Sequence, residues 1–521
     1  MMKKYIRVLL PLFLLIFAQG VIAAKGGHRP NILFIAVDDL KPLLSNYGDP
    51  IVKSPNFDRL AAMGVTFTNA HSQQAVCGPS RASVLTGLRP DRTRVWDLST
   101  KIRSELPEVV TIPQHFKANG YQAVGIGKIF DSRSVEGPIY DDAVSWSRPF
   151  VQAPRNEQSA LGFLDAELVA KVNDVRKTPD ASEDEWSLRS AVGGVPTYER
   201  SHDVDDEAYE DGRIAATSVK LLQELAAAEA PFFLGVGFHK PHLPFNAPKR
   251  YWDLYDEATL SLAARTEMPV GAPSYHFQPG WEIRNGNYSG GAPLSSPEPI
   301  ADDLARTLIH GYYACVSYID AQLGRLLDGL ESTGELENTI IVLWSDHGWH
   351  LGDHGIWCKH TNYEQATRSV YMICNLSDAN IAQGEQVAAP VELLDTFATL
   401  CDLVGVNAPS DIDGLSLRPL LYAPDGRLKD SAVSQFPREY QGRKIMGYAW
   451  RSERYRYIEW VDHRFREGVL GGPVVDVELY DYLNDPEESR NLATDSAYEA
   501  VLIEMRTIAD DYKKAQAWSV F

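Results

Sequence analysis

The chain has 521 residues, 44% hydrophobic and 23% charged, a composition ordinary for a soluble globular protein and a length beyond the single-core limit of about 250 to 300 residues. A formal net charge of −20 argues against nucleic acid as a partner, although a Debye length of about 8 Å still lets a local basic pocket receive an anion. Five cysteines in so long a chain favour buried thiols over a disulfide framework.

Residues 1–24 read as a secretory signal peptide. Lys3, Lys4 and Arg7 precede an apolar run from Val8 to Ala18, and Ala23 and Ala24 offer a small-residue cleavage site. The run is short for a membrane span, so the expected mature chain starts near Lys25, carries no membrane span and works in the periplasm or as a secreted protein. Asn31 to Val37 (NILFIAV) is the near-continuous apolar run of a parallel strand buried on both faces, with Asp38 and Asp39 at its carboxyl end. Ser54-Pro55 caps and opens a helix to Met63, Gly64 ends it, and Val65 to Phe67 forms a short strand. A helix is expected from Arg81 onward, its N-terminus facing position 77. Thr111 to Gly120 reads as a helix with a glycine stop and Tyr121 to Ile126 as a strand, with Lys128 just beyond. Residues 152–205 mix charge, Pro and Gly without periodicity and read as a long insertion beside the site.

Arg213 to Ala228 is expected to be helical, and Pro231 to Phe238 (PFFLGVGF) is a strand delivering His239, Lys240 and His242. Residues 269–299, rich in Gly, Pro and Ser, read as loop. Leu304 to Leu330 carries apolar residues at helical spacing, and Thr339 to Trp344 (TIIVLW) is a strand ending at Asp346-His347. From Ser431 the texture changes to short alternating segments and turns, the pattern of a small antiparallel sheet with a terminal helix. The expectation is an α/β fold: a large mixed, mostly parallel sheet flanked by helices over residues 25–430, and a smaller C-terminal α+β subdomain with an antiparallel sheet over residues 431–521.

Chemistry enters at Cys77–Gly87 (CGPSRASVLTG), which resembles the complete type I sulfatase signature C-x-P-S-R-x-x-x-L-T-G. The resemblance is to formylglycine-dependent sulfatases of the alkaline phosphatase superfamily. It implies that a maturation enzyme oxidises Cys77 to formylglycine, an aldehyde, which leaves Cys315, Cys358, Cys374 and Cys401 as an even set. Glu478-Leu479-Tyr480-Asp481, Asp485-Pro486-Glu487-Glu488 and Asn491-Leu492 are similar to segments of the sulfatase C-terminal subdomain.

Asp38 and Asp39, Lys128, His239, and Asp346 with His347 each follow an expected strand, and ligands of open α/β sheets bind at those carboxyl ends. The carboxylates Asp38, Asp39 and Asp346, with an oxygen of converted Cys77, suit a hard divalent cation, calcium or alternatively magnesium; calcium better tolerates irregular geometry. The competing reading is zinc on His347, His350 and His354. A narrower likeness, carried by Asp38-Asp39-Leu40, Gln73–Cys77, Phe238–His242, Ser345–Trp349 and Ile445–Tyr448, is to the iduronate-2-sulfatase group and runs from Asn31 to about Leu492. It implies that Asp38, Asp39, Cys77 as formylglycine, Asp346 and His347 hold calcium, with Arg81, Lys128, His239 and Lys359 around the sulfate.

The implied reaction is attack on sulfur by hydrated formylglycine, with His239 or Lys359 protonating the leaving oxygen; His239 is preferred because imidazole titrates near neutral pH. One position departs from the group's pattern. A histidine is expected shortly after Gly127-Lys128, and Asp131 stands there instead. Either His350 or His360 takes over its role or the site recognises a different sugar, in which Asp131, His242 and the aromatic Trp349 and Trp357 are candidate sugar contacts, with buried packing the expected role of at least one of the two tryptophans. The implied substrate is a sulfated oligosaccharide or polysaccharide, a 2-O-sulfated uronic acid of a glycosaminoglycan or algal polysaccharide among them. Two other readings are a phosphate or phosphonate ester hydrolase on the same scaffold and a catalytically silent sulfated-glycan binder.

Overall fold

The computed structural model describes residues 29–518 apart from 138–139, 179–183, 279, 285–286, 291–298 and 463, so the expected signal peptide lies outside the described residues. Its centre is a seven-stranded sheet made of β1 (Asn31–Val37), β2 (Val65–Phe67), β3 (Gln122–Gly127), β4 (Phe232–Phe238), β5 (Thr339–Ser345), β6 (Tyr371–Asn375) and β7 (Gln386–Val387). The spatial order is β7-β2-β6-β5-β1-β4-β3. β5, β1, β4 and β3 are mutually parallel, and β6 runs antiparallel to both β5 and β2. The mixed, mostly parallel sheet expected from the apolar runs is therefore present.

β1 is buried at every position, and its period of two sends alternate side chains into two cores. Leu33, Ile35 and Val37 pack with residues of α1 (Pro55–Met63), such as Leu60, and with Leu222, Leu308, Tyr312 and Leu323. Ile32, Phe34 and Ala36 pack on the other face with Val84 and Leu85 of α2 (Cys77–Thr86), Phe116 of α3 (Ile112–Ala118), and Phe397 and Leu400. Leu222 lies on α4 (Glu210–Ala226), the other three on α5 (Asp302–Ser332), and Phe397 and Leu400 on α6 (Asp395–Val404). Each fully buried side chain of this size contributes about 1.5–3 kcal/mol, so a strand serving both layers is the natural axis of the fold.

Helix capping is local in one case and remote in another. Thr111 closes a capping box with Gln114 at the head of α3. Ser54 was the expected cap of α1, but its side chain makes no capping bond. Asp320, midway along α5, accepts instead from Asn56 N at 2.8 Å and Phe57 N at 2.9 Å, so one helix caps another across the core.

The C-terminal sheet is antiparallel, in the order Ala432–Tyr440, Arg443–Arg451, Tyr455–Val461 and Val474–Asp481. Met446, Tyr448 and Trp450 face Met505 and Ala509 of the terminal helix Glu499–Ala515. Ile445, Ala449, Ile458, Trp460 and Tyr480 face Ile356 and Tyr363, which bracket Lys359 in sequence. The second sheet thus supports the segment that carries Lys359.

Two regions hold more structure than their composition announced. Residues 152–205 contain the helices Ala166–Arg176 and Glu185–Ala191, and residues 269–299 contain the short helix Trp281–Arg284 and the strand Tyr288–Gly290. No helix among the described residues is long and apolar enough to cross a membrane. All five cysteines are buried and free, in keeping with the thiol reading.

β3 and β4 lie so close at their carboxyl ends that a Cβ on Gly237 would collide with the backbone of Lys128. Gly237→Ala is therefore expected to cost about 1–3 kcal/mol, read as a lower denaturant midpoint at unchanged m-value, and to impair activity by displacing Lys128.

Candidate active site

Register brings the site together. Val37 lies opposite both Ser345 on β5 and Phe238 on β4, and Gly127 lies opposite Gly237. The strands therefore end level, and the residues just past their ends, Asp38 and Asp39, Asp346 and His347, His239, and Lys128, meet at one edge. α2 faces them, beginning at Cys77 itself and not at Arg81 as expected. Cys77, Ser80 and Arg81 are spaced i, i+3 and i+4 and share one helix face. Ser80 Oγ donates to the Asp346 carbonyl, and Cys77 Sγ lies 3.9 Å from Asp39 Oδ1 and 3.6 Å from His347 Nε2.

Arg81 is fully buried and divides its guanidinium between two carboxylates: Nε donates to Asp346 Oδ2 at 2.9 Å and NH2 to Asp38 Oδ1 at 2.9 Å. Its remaining NH1 donates to the carbonyls of Lys128 and Ile129. Lys128 Nζ meets Asp38 Oδ2 at 2.6 Å. Lys359 Nζ meets Asp39 Oδ1 and Oδ2 at 2.9 and 2.8 Å and Glu282 Oε2 at 2.7 Å. Burial alone would raise the Asp38 carboxyl, but Lys128 and Arg81 hold it well below the usual carboxylate range. Asp39 goes the other way, pushed up by burial against the opposing pull of Lys359. Burial would strip the Lys359 ammonium of its proton, yet Asp39 and its acidic neighbours hold that proton well above the ordinary lysine range.

Backbone conformation is constrained at the same places. Asp39 has φ 58°, Cys358 φ 70° and His360 φ 75°, left-handed values uncommon outside glycine. Asp39 is held there by its own N–H on Asp346 Oδ1 at 3.0 Å and by Tyr312, whose hydroxyl donates to the Asp39 carbonyl at 2.6 Å and accepts from Lys41 N at 2.8 Å. Lys359 sits between two left-handed residues, its carbonyl accepting from Gln278 and the carbonyl of His360 from Arg438. Such strain persists where the surroundings over-determine it.

Several expected contacts fall differently. His350 is fully buried, its Nε2 bonded to Thr361 Oγ1 at 2.9 Å, and His354 faces Glu488. Neither joins a group of potential metal ligands among the described residues, so the zinc triad with His347 is not assembled. Trp349 is fully buried beneath Lys359, whose Nζ lies 4.8 Å from the ring centroid, and Trp357 is buried as well, so neither offers a face to a sugar. Burial and the neighbouring Lys359 push His360 down to about 3, which leaves it uncharged and unable to donate as imidazolium. His239 keeps 18% of its side chain exposed, and its Nε2 makes no hydrogen bond but lies 3.8 Å from Glu210 Oε1. His242 Nε2 is 2.8 Å from Glu282 Oε1 and 3.8 Å from Asp39 Oδ2. Glu282, which links His242 to Lys359, was hidden in a stretch read as loop; an acid set among Gly, Pro and Ser gives no local signal.

The donor set fits a divalent metal. Asp39, Cys77, Asp346 and His347 offer ligand atoms all within 4.8 Å of one another, and Asp38 and His242 join Asp39 and Cys77 in an overlapping group. His347 Nδ1 donates to the Gly348 carbonyl at 2.9 Å, which turns the bare Nε2 toward Asp39 and Cys77.

A family model described as Sulfatase matches residues 30–406, and one described as N-sulphoglucosamine sulphohydrolase, C-terminal, matches residues 352–515. The chain belongs to the sulfatase family. It is a sulfuric ester hydrolase with the alkaline-phosphatase-like fold, and this family uses a cysteine-derived formylglycine and a divalent metal. Human iduronate 2-sulfatase is 33% identical over 89% of this chain and 91% of its own length. A sulfatase of Formosa agariphila is 30% identical over 93% of this chain and 87% of its own. A phosphonate monoester hydrolase from Silicibacter pomeroyi shares the fold with a TM-score of 0.69 at 22% identity, covering 94% of this sulfatase and 96% of its own chain.

The thiol at position 77 is a poor nucleophile as it stands. Burial and the Asp38 carboxylate push it well above the ordinary thiol range, whereas reactive cysteines are depressed. Folded protein carrying unconverted Cys77 is expected to react with a thiol reagent at pH 8 at least about tenfold more slowly than the urea-unfolded chain. Fast native labelling at Cys77, mapped by peptide mass spectrometry, would reveal a thiolate and count against this site electrostatics.

Proposed function

We propose that this sulfatase is an exported enzyme that hydrolyses a sulfate ester of a sulfated carbohydrate, a 2-O-sulfated uronic acid in glycosaminoglycan or algal polysaccharide fragments, through a formylglycine made from Cys77 and a bound calcium. The observation that carries the reading is the position of Cys77 at the head of α2, against Asp39 and His347 and within the ring of Arg81, Lys128 and Lys359. The substrate class rests on the likeness to human iduronate 2-sulfatase across most of both chains. Calcium is favoured because most of the donors are carboxylate oxygens, and export follows from the leader-like residues 1–24.

Cys77 Sγ stands for the oxygen of the converted residue. Hydrated formylglycine supplies an attacking hydroxyl and, in its second hydroxyl, the means of expelling sulfate. A divalent cation held by Asp38, Asp39, Asp346, His347 and residue 77 supplies charge stabilisation on the sulfuryl oxygens. The rest belongs to the chain's own side chains. Lys128 and Lys359, each 7% exposed or less at the side chain, present ammonium groups to a bound sulfate. Arg81 holds Asp38 and Asp346 in one orientation and does not reach out to substrate, since its nitrogens are all engaged. His239 is the better proton donor to the leaving oxygen: its Nε2 makes no hydrogen bond and faces Glu210 only at 3.8 Å, while Lys359 is gripped by Asp39 and Glu282. Glu282 fixes His242 and Lys359 relative to each other.

Protein co-expressed with a formylglycine-generating maturation enzyme is expected to show the aldehyde at position 77 and to release sulfate from 2-O-sulfated uronate oligosaccharides. Cys77→Ser should release sulfate in no more than one turnover and Cys77→Ala none; steady turnover by either refutes the mechanism. The phosphonate hydrolase of like fold keeps an ester-hydrolase reading open. Paired assays on sulfate, phosphate and phosphonate esters are expected to favour sulfate, and a preference for phosphonate would replace the proposal.

A further inference from the structure

Asp131 stands three residues beyond Lys128, where an unpaired carboxylate would repel a sulfate. It is not unpaired. Arg133 donates its backbone N–H and its Nε to Asp131 Oδ1, each at 2.9 Å, and its NH2 to Oδ2 at 2.8 Å. Burial would raise the Asp131 carboxyl, yet these bonds and Lys128 hold it well below the carboxylate range. The two members differ in accessibility: the Asp131 side chain is 1% exposed and that of Arg133 47%. The buried acid is therefore the clamp and the exposed guanidinium the working surface. Two edges of a guanidinium can receive planar anions. Asp131 takes the edge formed by Nε and NH2, and NH1 meets no acceptor among the described residues, so an outer edge of donors remains available. Arg81, on the face of α2 that carries Cys77, holds the carbonyls of Lys128 and Ile129 just before Asp131, which keeps the clamped guanidinium at the same edge of the sheet as the reacting centre.

We propose that Arg133, oriented by Asp131, is a specificity-determining residue that binds a second anionic group of the substrate, a carboxylate or a further sulfate on the sugars around the scissile ester. The proposal rests on the sulfated-carbohydrate reading above. Lys128 and Lys359 are engaged by Asp38 and Asp39 and serve the reacting sulfate. Arg133 is tied to an acid outside the potential metal ligands, so it adds donors with direction while the pair adds no net charge. Asp131 is then a positioning residue, and its identity follows from needing a carboxylate to fix a guanidinium, which a histidine would not do.

The test uses the full-length matured enzyme with three substrates: a 2-O-sulfated uronate oligosaccharide, its carboxyl-reduced counterpart, and a disulfated oligosaccharide lacking uronate. Arg133→Ala is expected to raise KM about tenfold on whichever substrate carries the recognised anion, with kcat within about twofold and the carboxyl-reduced monosulfate unaffected. A loss confined to the uronate identifies a carboxylate, and one confined to the disulfate identifies a sulfate. Arg133→Lys should recover only part of the discrimination, because an ammonium has no second edge. Equal losses on all three substrates, or restoration of wild-type discrimination by Asp131→Asn combined with Arg133→Ala, would reduce the pair to charge compensation and overturn the proposal. Calorimetric binding of the same oligosaccharides to unconverted Cys77 protein gives a readout that needs no turnover. There, tenfold weaker binding by Arg133→Ala supports the proposal, and unchanged or absent wild-type binding overturns it. Failure of matured wild-type enzyme to release sulfate counts separately against the function.

Discussion

The structure depends on a buried exchange of charge in which Arg81 stands between Asp38 and Asp346 while Lys128 and Lys359 hold Asp38 and Asp39. None of these side chains is more than 7% exposed. A single unpaired ion in such surroundings costs several kcal/mol, so each member obliges the presence of the others. The partners come from the ends of β1, β3 and β5, from α2, and from the strained segment around Cys358–His360. The electrostatics therefore tie together elements more than three hundred residues apart, and they do so only because the parallel strands end level.

That arrangement explains what was legible in the sequence. A doubly buried strand must be an apolar run, and a charge at its end must lie at the sheet's carboxyl edge, so Asp38, Asp39, Lys128, His239 and Asp346 could be gathered without knowing any contact. The cysteine motif was legible for a different reason, its match to the sulfatase signature; that the i, i+3 and i+4 spacing of Cys77, Ser80 and Arg81 is one helix face came from the structure. Its start was misplaced by a turn because Gly78 and Pro79 look like helix breakers, whereas proline is tolerated within a first turn, where the backbone N–H has no partner to lose.

The rest was illegible because its signal is not local. Glu282 acts through His242 and Lys359, and Tyr312 through the Asp39 carbonyl; nothing in the neighbouring sequence marks either. The helix Ala166–Arg176 buries only Val172 outright, with Leu168, Val169 and Val175 half-buried against the same core, so its apolar stripe is short and interleaved with charge. Trp349 and His350 misled in the opposite sense. Residue type suggested exposed contacts, but their place just after β5 puts them under the site, where Trp349 supports Lys359 from below. The support continues outward, since Ile356 and Tyr363 on either side of Lys359 pack against the C-terminal sheet. The C-terminal family match begins at residue 352, far before the textural change at Ser431, in keeping with a packing unit that includes this segment.

Charge arithmetic then separates reaction from selectivity. Asp38, Asp39, Asp346, Glu282 and Glu210 set five negative charges against the positive Arg81, Lys128, Lys359 and a proton-bearing His239, so the assembled site carries a negative excess of one when its other histidines are neutral. A divalent cation reverses the excess by one unit in the positive sense, and a sulfate monoester brings the sum to zero. The site so composed is matched to one monoanion, and a second anion on the same substrate would find no unmatched charge at the centre. Recognition of such a group has to be built elsewhere, on a pair whose own charges cancel and whose donors have direction. Asp131 and Arg133 have that character: they leave the balance of the reacting centre untouched while presenting an ordered guanidinium edge at its margin. The histidine absent from position 131 is then the sign of a choice of substrate, made without altering the machinery that acts on sulfate.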